Sequence, residues 1–220
     1  CNAVVQSTGR LSIMGHKEEE MTDRMLDKRS LTQESAWTEL LSRRLSLSEV
    51  HQICIMVSES RDEAVMERLL SLALCDSKPI SVNALWIFTH LPEPDHVWLA
   101  DRQDVLIDAL LKTTHTGRRR LLLKLLSLQP FRKEAIRTDF LDYCLNQVTA
   151  CTQPYAIRAL CLKLAFEQCK YFPPILEELT TVLDMLSEEK LSPGMASACR
   201  QVRRKIARRE KIQSVSSRVS

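Results

Sequence analysis

Three arginines, Arg118, Arg119 and Arg120, run straight into the leucines of residues 121–126, with Lys124 set among them. Guanidinium and ammonium groups repeated along one stretch of chain bind anions, either phosphates or the carboxylates of an acidic partner. The pattern recurs. "RRLLLKLLSL" (119–128) matches "RALCLKLAFE" (158–167) at a shift of 39, and "RQVRRKIARR" (200–209) follows at a shift of 42. That register sets Arg158 and Lys163 beside Arg119 and Lys124, and then Arg200 and Lys205. On a helical wheel Arg119, Arg120 and Lys124 are read as the face opposite the leucine stripe Leu121, Leu122, Leu125 and Leu126. If successive units stack in parallel, Arg119, Arg120, Lys124, Arg158, Lys163, Arg200 and Lys205 make basic columns along one face, which either meet phosphates or acidic partner segments or serve only as a solvated polar edge. Aspartates and glutamates of neighbouring helices, among them Asp104, Asp108, Asp139 and Glu177, would absorb part of this charge by intramolecular pairing.

Other groupings carry less chemistry. "HLPEPDHVW" (90–98) brings His90, Glu93, Asp95 and His96 within one short stretch. Imidazole and carboxylate ligate zinc, but this spacing matches no metal motif and two prolines interrupt it, so it reads as a polar loop. Cys144, Cys151, Cys161 and Cys169 fall at spacings that suit packing along helical stripes better than a four-cysteine zinc site. Trp37, Trp86 and Trp98 read as core residues. No nucleophile elbow, Walker loop, HExxH or dinucleotide fingerprint occurs, and four glycines leave little material for a phosphate-cradling loop. No metal and no cofactor are expected.

The elements that position these residues are helical. With glycine scarce and leucine, alanine, glutamate, lysine and arginine abundant, helices are favoured over sheets. A 45% hydrophobic content supports a buried core, while no run of about 18 apolar residues would span a membrane. The net charge of +3 is too small to indicate nucleic acid by itself, but it is unevenly spread. Residues 61–115 hold five basic and nine acidic side chains, residues 116–137 seven and one, and residues 191–220 eight and one. Eight cysteines without a CxxC pair, mostly on apolar helix faces, point to a reducing, cytoplasmic compartment with no disulfide framework.

Helices are expected over residues 31–45, 46–60, 62–75, 79–91, 99–114, 117–129, 137–151, 154–171, 173–189 and 192–210. The second opens on a capping box, Ser46 to Glu49. Pro79, Pro154 and Pro193 stand in the first turn of the second helix of a pair, and Pro92, Pro130 and Pro173 follow close on the end of one. Residues 1–30 are expected to be a flexible N-terminal segment, 31–210 the repeat array and 211–220 a flexible tail. Two antiparallel helices per 35–45 residues is the spacing of HEAT or armadillo-like units. About five helix pairs, an all-α α-α superhelix, account for the array.

"DSKPISVNALWIFTHL", "AIRALCLKLAFEQCKYFPPILEEL" and "SACRQVRRKI" together resemble small bacterial HEAT-like α-solenoid proteins, over about residues 60–207. The shared features are a helix with Ala-Leu-Trp-Ile, a later alanine-rich helix and a closing basic helix. Some of those proteins carry the label adenylosuccinate lyase. This sequence lacks that enzyme's serine-rich loop and is too short for its bundle, so the label implies nothing here. Those proteins are mostly uncharacterised; the helix pairs and their charge themselves lead to the expectation of a non-catalytic interaction module or scaffold that binds a protein or peptide, acidic by complementarity, along one face. The alternative is a HEAT-like DNA-binding protein or alkylpurine DNA glycosylase using a basic concave face. That alternative needs aromatic side chains and a carboxylate beside the cations, and the nearest aromatics are Tyr155 and Phe166, the latter read as buried.

Overall fold

The computed structural model describes residues 34–216, which are all-α. Eleven helices follow in order: α1 Glu34–Ser42, α2 Leu47–Ser60, α3 Glu63–Leu74, α4 Lys78–Phe88, α5 Glu93–Ala100, α6 Gln103–Lys112, α7 Thr116–Leu126, α8 Thr138–Thr149, α9 Tyr155–Cys169, α10 Pro173–Ser187 and α11 Pro193–Ser216. They form two compact units, the first ending at Asp95 and the second beginning at His96. The expected N-terminal segment 1–30 and residues 217–220 of the expected tail lie outside the described residues. No described helix is long and apolar enough to cross a membrane.

Local chemistry sets the helix ends. The capping box at α2 is formed as expected: Glu49 N–H donates to Ser46 Oγ (3.2 Å) and Ser46 N–H to Glu49 Oε2 (2.7 Å). Asp62 Oδ1 accepts from Ala64 N–H at the start of α3. Pro79 and Pro173 sit in first turns, where the missing N–H has no helical partner in any case.

In the first unit α4 is central, packed by α1, α2 and α3. It is buried on nearly all sides through Ile80, Ala84, Leu85, Ile87 and Phe88. Its polar residues serve the carbonyls that helix ends leave without partners. Ser81 Oγ donates to Ala73 O (2.6 Å) near the end of α3. Asn83 Nδ2 donates to Leu41 O (2.8 Å) and Arg43 O (2.7 Å) where α1 finishes. Asn83→Ala strands both carbonyls in a buried place and is expected to cost about 1–2 kcal/mol, read as a lowered urea midpoint.

In the second unit the helices pair as α6/α7, α8/α9 and α10/α11. Second helices stack on second helices, with α9 between α7 and α11, and first helices on first, with α8 between α6 and α10. The expected leucine stripe is buried, and Leu123 joins it. At about 1.5–3 kcal/mol for each fully buried large aliphatic side chain, most of the stability of α7 comes from its neighbours rather than from its own turns.

Two expectations are corrected. The stretch 90–98 is not a loop: its larger part belongs to α5, and the helix expected over 99–114 is instead the end of α5 and all of α6. Pro94 falls in the first turn of α5, where it costs no hydrogen bond, and Glu93 and Asp95 there favour the helix dipole. His96 is buried, Asp95 accepts from Ser58 Oγ (2.7 Å), and His90 Nδ1 is engaged with Trp86 O (3.0 Å). Second, α11 runs to Ser216, past residue 210.

Cys54, Cys144, Cys161, Cys169 and Cys199 are free and buried, while Cys151 is exposed in the turn after α8 rather than within a helix. Burial pushes the Cys54 and Cys169 thiols up to about 12, and holds Cys144, beside Cys161, well above the ordinary range. These sulfurs act as small apolar packing groups. Among the described residues no group of three or more His, Cys, Asp or Glu is placed to hold a metal ion.

Candidate functional site

The repeated arginines do not share one face. Arg158 is 2% exposed. Its Nε donates to Val148 O (2.8 Å) near the end of α8, and its Nη2 to Glu189 Oε2 (2.8 Å) in the turn between α10 and α11. Arg119 is half-buried and does the same one repeat earlier. Its Nη2 donates to Thr113 O (3.2 Å) at the end of α6, and its Nη1 to Gln153 Oε1 (3.4 Å) in the turn between α8 and α9. Each reaches back to the first helix of its own pair and forward to the next pair. The 39-residue match therefore marks a mortar position, where the sequence reading expected a wet column. The wheel contained the signal. Arg119 lies three, four and seven residues before Leu122, Leu123 and Leu126, on their side of the helix, and Arg158 stands likewise to Cys161, Leu162 and Ala165. The match at 42 fails too, since it aligns buried Arg158 with exposed Arg200. Among the described side chains of α11, Met195, Ala198, Cys199, Val202 and Ile206 are buried.

What remains wet is a narrower set. Arg120 and Lys124 are exposed on α7, Lys163 is half-buried on α9, and Arg200 and Lys205 are exposed on α11. The acidic first helices do not neutralise this edge. Asp108 and Asp139 pair with Arg137 at the start of α8 (2.6 and 2.5 Å), and Asp184 pairs with Arg203 (2.9 Å). Among the described residues no carboxylate lies within 4 Å of the charged nitrogens of Arg120, Lys124, Lys163 or Arg200.

Beside this edge sits a cluster the sequence reading missed. The end of α9, the turn after α7 and the second half of α11 meet around Tyr171, whose hydroxyl donates to Phe131 O (3.0 Å). Lys170 Nζ lies 4.9 Å and Arg209 Cζ 5.8 Å from the Tyr171 ring centre. Lys133 Nζ lies 6.0 Å from the Phe172 ring, and Lys205 Nζ 5.2 Å from that of buried Phe166. Lys133, Tyr171 and Arg209 stand 38 residues apart in succession, a repeat that could have pointed to them.

Glu167 is the carboxylate inside this cluster. It accepts from Lys170 Nζ and Lys205 Nζ, both at 2.7 Å. Burial alone would raise its pKa; the two lysine hydrogen bonds more than offset that and hold it below the usual glutamate range. A carboxyl whose pKa falls on folding stabilises the fold above its unfolded value and loses that contribution as pH falls through the folded one. Partial exposure keeps the contribution under about 1 kcal/mol. Glu167→Gln is therefore expected to reduce the stability lost between about pH 5 and pH 3, measured as urea midpoints across that range.

The repeated pairs, their parallel stacking and the mortar arginines define a helical-repeat scaffold. Residues 37–206 match the family described as HEAT repeat domain, and the chain belongs to that family. HEAT repeats generally mediate protein binding. No curated protein and no solved structure matches the chain.

Proposed function

We propose that this chain is a non-catalytic interaction module that binds an acidic protein or peptide through the wet edge of the second helices in its second unit. The observation that carries the reading is the segregation of charge: among the described residues Arg120, Lys124, Lys163 and Arg200 have no carboxylate partner, while Asp108, Asp139 and Asp184 of the first helices pair with Arg137 and Arg203. Cations left in this state attract an anionic partner at long range and fix its register on contact. Protected thiols fit a reducing, cytoplasmic setting.

The test is a titration of the full chain into a fluorescein-labelled peptide of alternating glutamate and aspartate, at low and at moderate salt. Binding that weakens as salt rises is expected. Tighter binding to duplex DNA than to the peptide, or release of a methylated purine from alkylated DNA, would overturn the reading.

A further inference from the structure

Resting on that reading, we infer that the acidic partner is gripped at the cradle around Tyr171, by Lys133, Lys170, Lys205 and Arg209, and that Glu167 occupies two of these cations as a built-in competitor. Three separate stretches of chain deliver the cations to one place. Each lies over an aromatic ring: Lys170 and Arg209 at Tyr171, Lys133 at Phe172, Lys205 at Phe166. The Tyr171 ring is itself anchored through its hydroxyl to the Phe131 carbonyl. Long cationic side chains held against rings lose fewer rotamers when they take a ligand than free ones do.

The same geometry selects the ligand. Single-stranded nucleic acid is bound by stacking bases on open aromatic faces. Here cations already lie over those faces, so a base would have to evict one to stack. A carboxylate needs no face and can be met by the cations where they stand. Glu167 already shows the contact, since its two oxygens take Lys170 and Lys205 at 2.7 Å. An incoming carboxylate competes with Glu167 for both, so removing the internal charge strengthens binding. That sign is the reverse of what a merely structural ion pair gives.

The experiment uses the full chain and the same labelled Glu/Asp peptide, with fluorescence anisotropy as the readout and far-UV circular dichroism as the folding check. Glu167→Gln is expected to tighten binding about two- to fivefold, the scale of one exposed ion pair. Lys133→Glu with Arg209→Glu is expected to weaken it at least about tenfold, and the milder pair Lys133→Ala with Arg209→Ala in the same direction if the first does not fold. Unchanged or weaker binding by Glu167→Gln overturns the competitor role. Undiminished binding by the Lys133 and Arg209 variants, with loss confined to Arg120→Glu and Lys124→Glu, overturns the cradle and leaves the acidic-partner reading standing. Absence of peptide binding by the wild-type chain overturns that reading as well. A labelled oligothymidylate that binds more tightly than the peptide overturns the choice of ligand.

Discussion

Replacing Arg158 by methionine is expected to lower the stability of the second unit by about 3 kcal/mol, although the substitution keeps most of the side-chain volume. The loss is polar. Arg158 is the donor to a buried carbonyl, Val148 O, and to Glu189, and its own exposure is 2%. Removing one partner of a buried pair costs about 3–5 kcal/mol because the other charge is left uncompensated. Glu189 is 35% exposed, so water recovers part of its solvation and the expected value falls at the lower end. Methionine leaves little cavity, which isolates the hydrogen-bond loss from the packing loss. Urea unfolding followed by circular dichroism checks it. Arg120→Met in the same assay is expected to stay within about 0.5 kcal/mol of wild type, as an exposed residue away from any buried network should. Arg119→Met should fall between the two, since its bonds are longer and its side chain half-buried.

The second large effect is on binding. Arg120→Glu, Lys124→Glu and Arg200→Glu together are expected to weaken the acidic peptide about thirty- to a hundredfold, or about 2–3 kcal/mol. Each substitution removes an attraction and adds a repulsion. Charge reversal is felt twice, and like-charge contacts suppress partners more strongly than a neutral residue does. All three side chains are exposed and carry no intramolecular ion pair among the described residues, so the thermal midpoint is expected to stay near wild type. The combination of lost affinity and retained stability separates this edge from Arg158, where the two losses would come in the other proportion.

Much of this architecture was legible before any coordinates. The Ser46–Glu49 capping box, first-turn prolines at Pro79 and Pro193, and the leucine stripe of α7 are local signals with local causes, and each formed as read. The 39-residue repeat was legible as well, but its meaning was not. Charge suggested that Arg119 and Arg158 were wet, while their spacing to the leucines placed them on the apolar side. The spacing was the better guide, because a guanidinium can be buried where unpaired helix-end carbonyls await a donor. In α9 charge alone misleads most: four neighbours surround the helix, so Ile157, Cys161, Leu162 and Phe166 are buried on different sides and no broad polar face remains for Arg158 to occupy. α5 was missed because two prolines in a row of acids read as a turn, when a first-turn proline is compatible with a helix start. The Tyr171 cradle lay beyond local reading, since Phe131, Tyr171 and Arg209 meet only once the pairs are stacked.

The central claim is that the exposed cations of the second helices bind while the buried arginine builds. One measurement addresses it directly: anisotropy titration of the labelled acidic peptide with the Arg120→Glu, Lys124→Glu, Arg200→Glu chain beside the Arg158→Met chain, at a temperature where both are folded. The account predicts that the triple variant loses the peptide while the Arg158 variant keeps it within about twofold of wild type. Loss of binding by the Arg158 variant with full binding by the triple variant would contradict it.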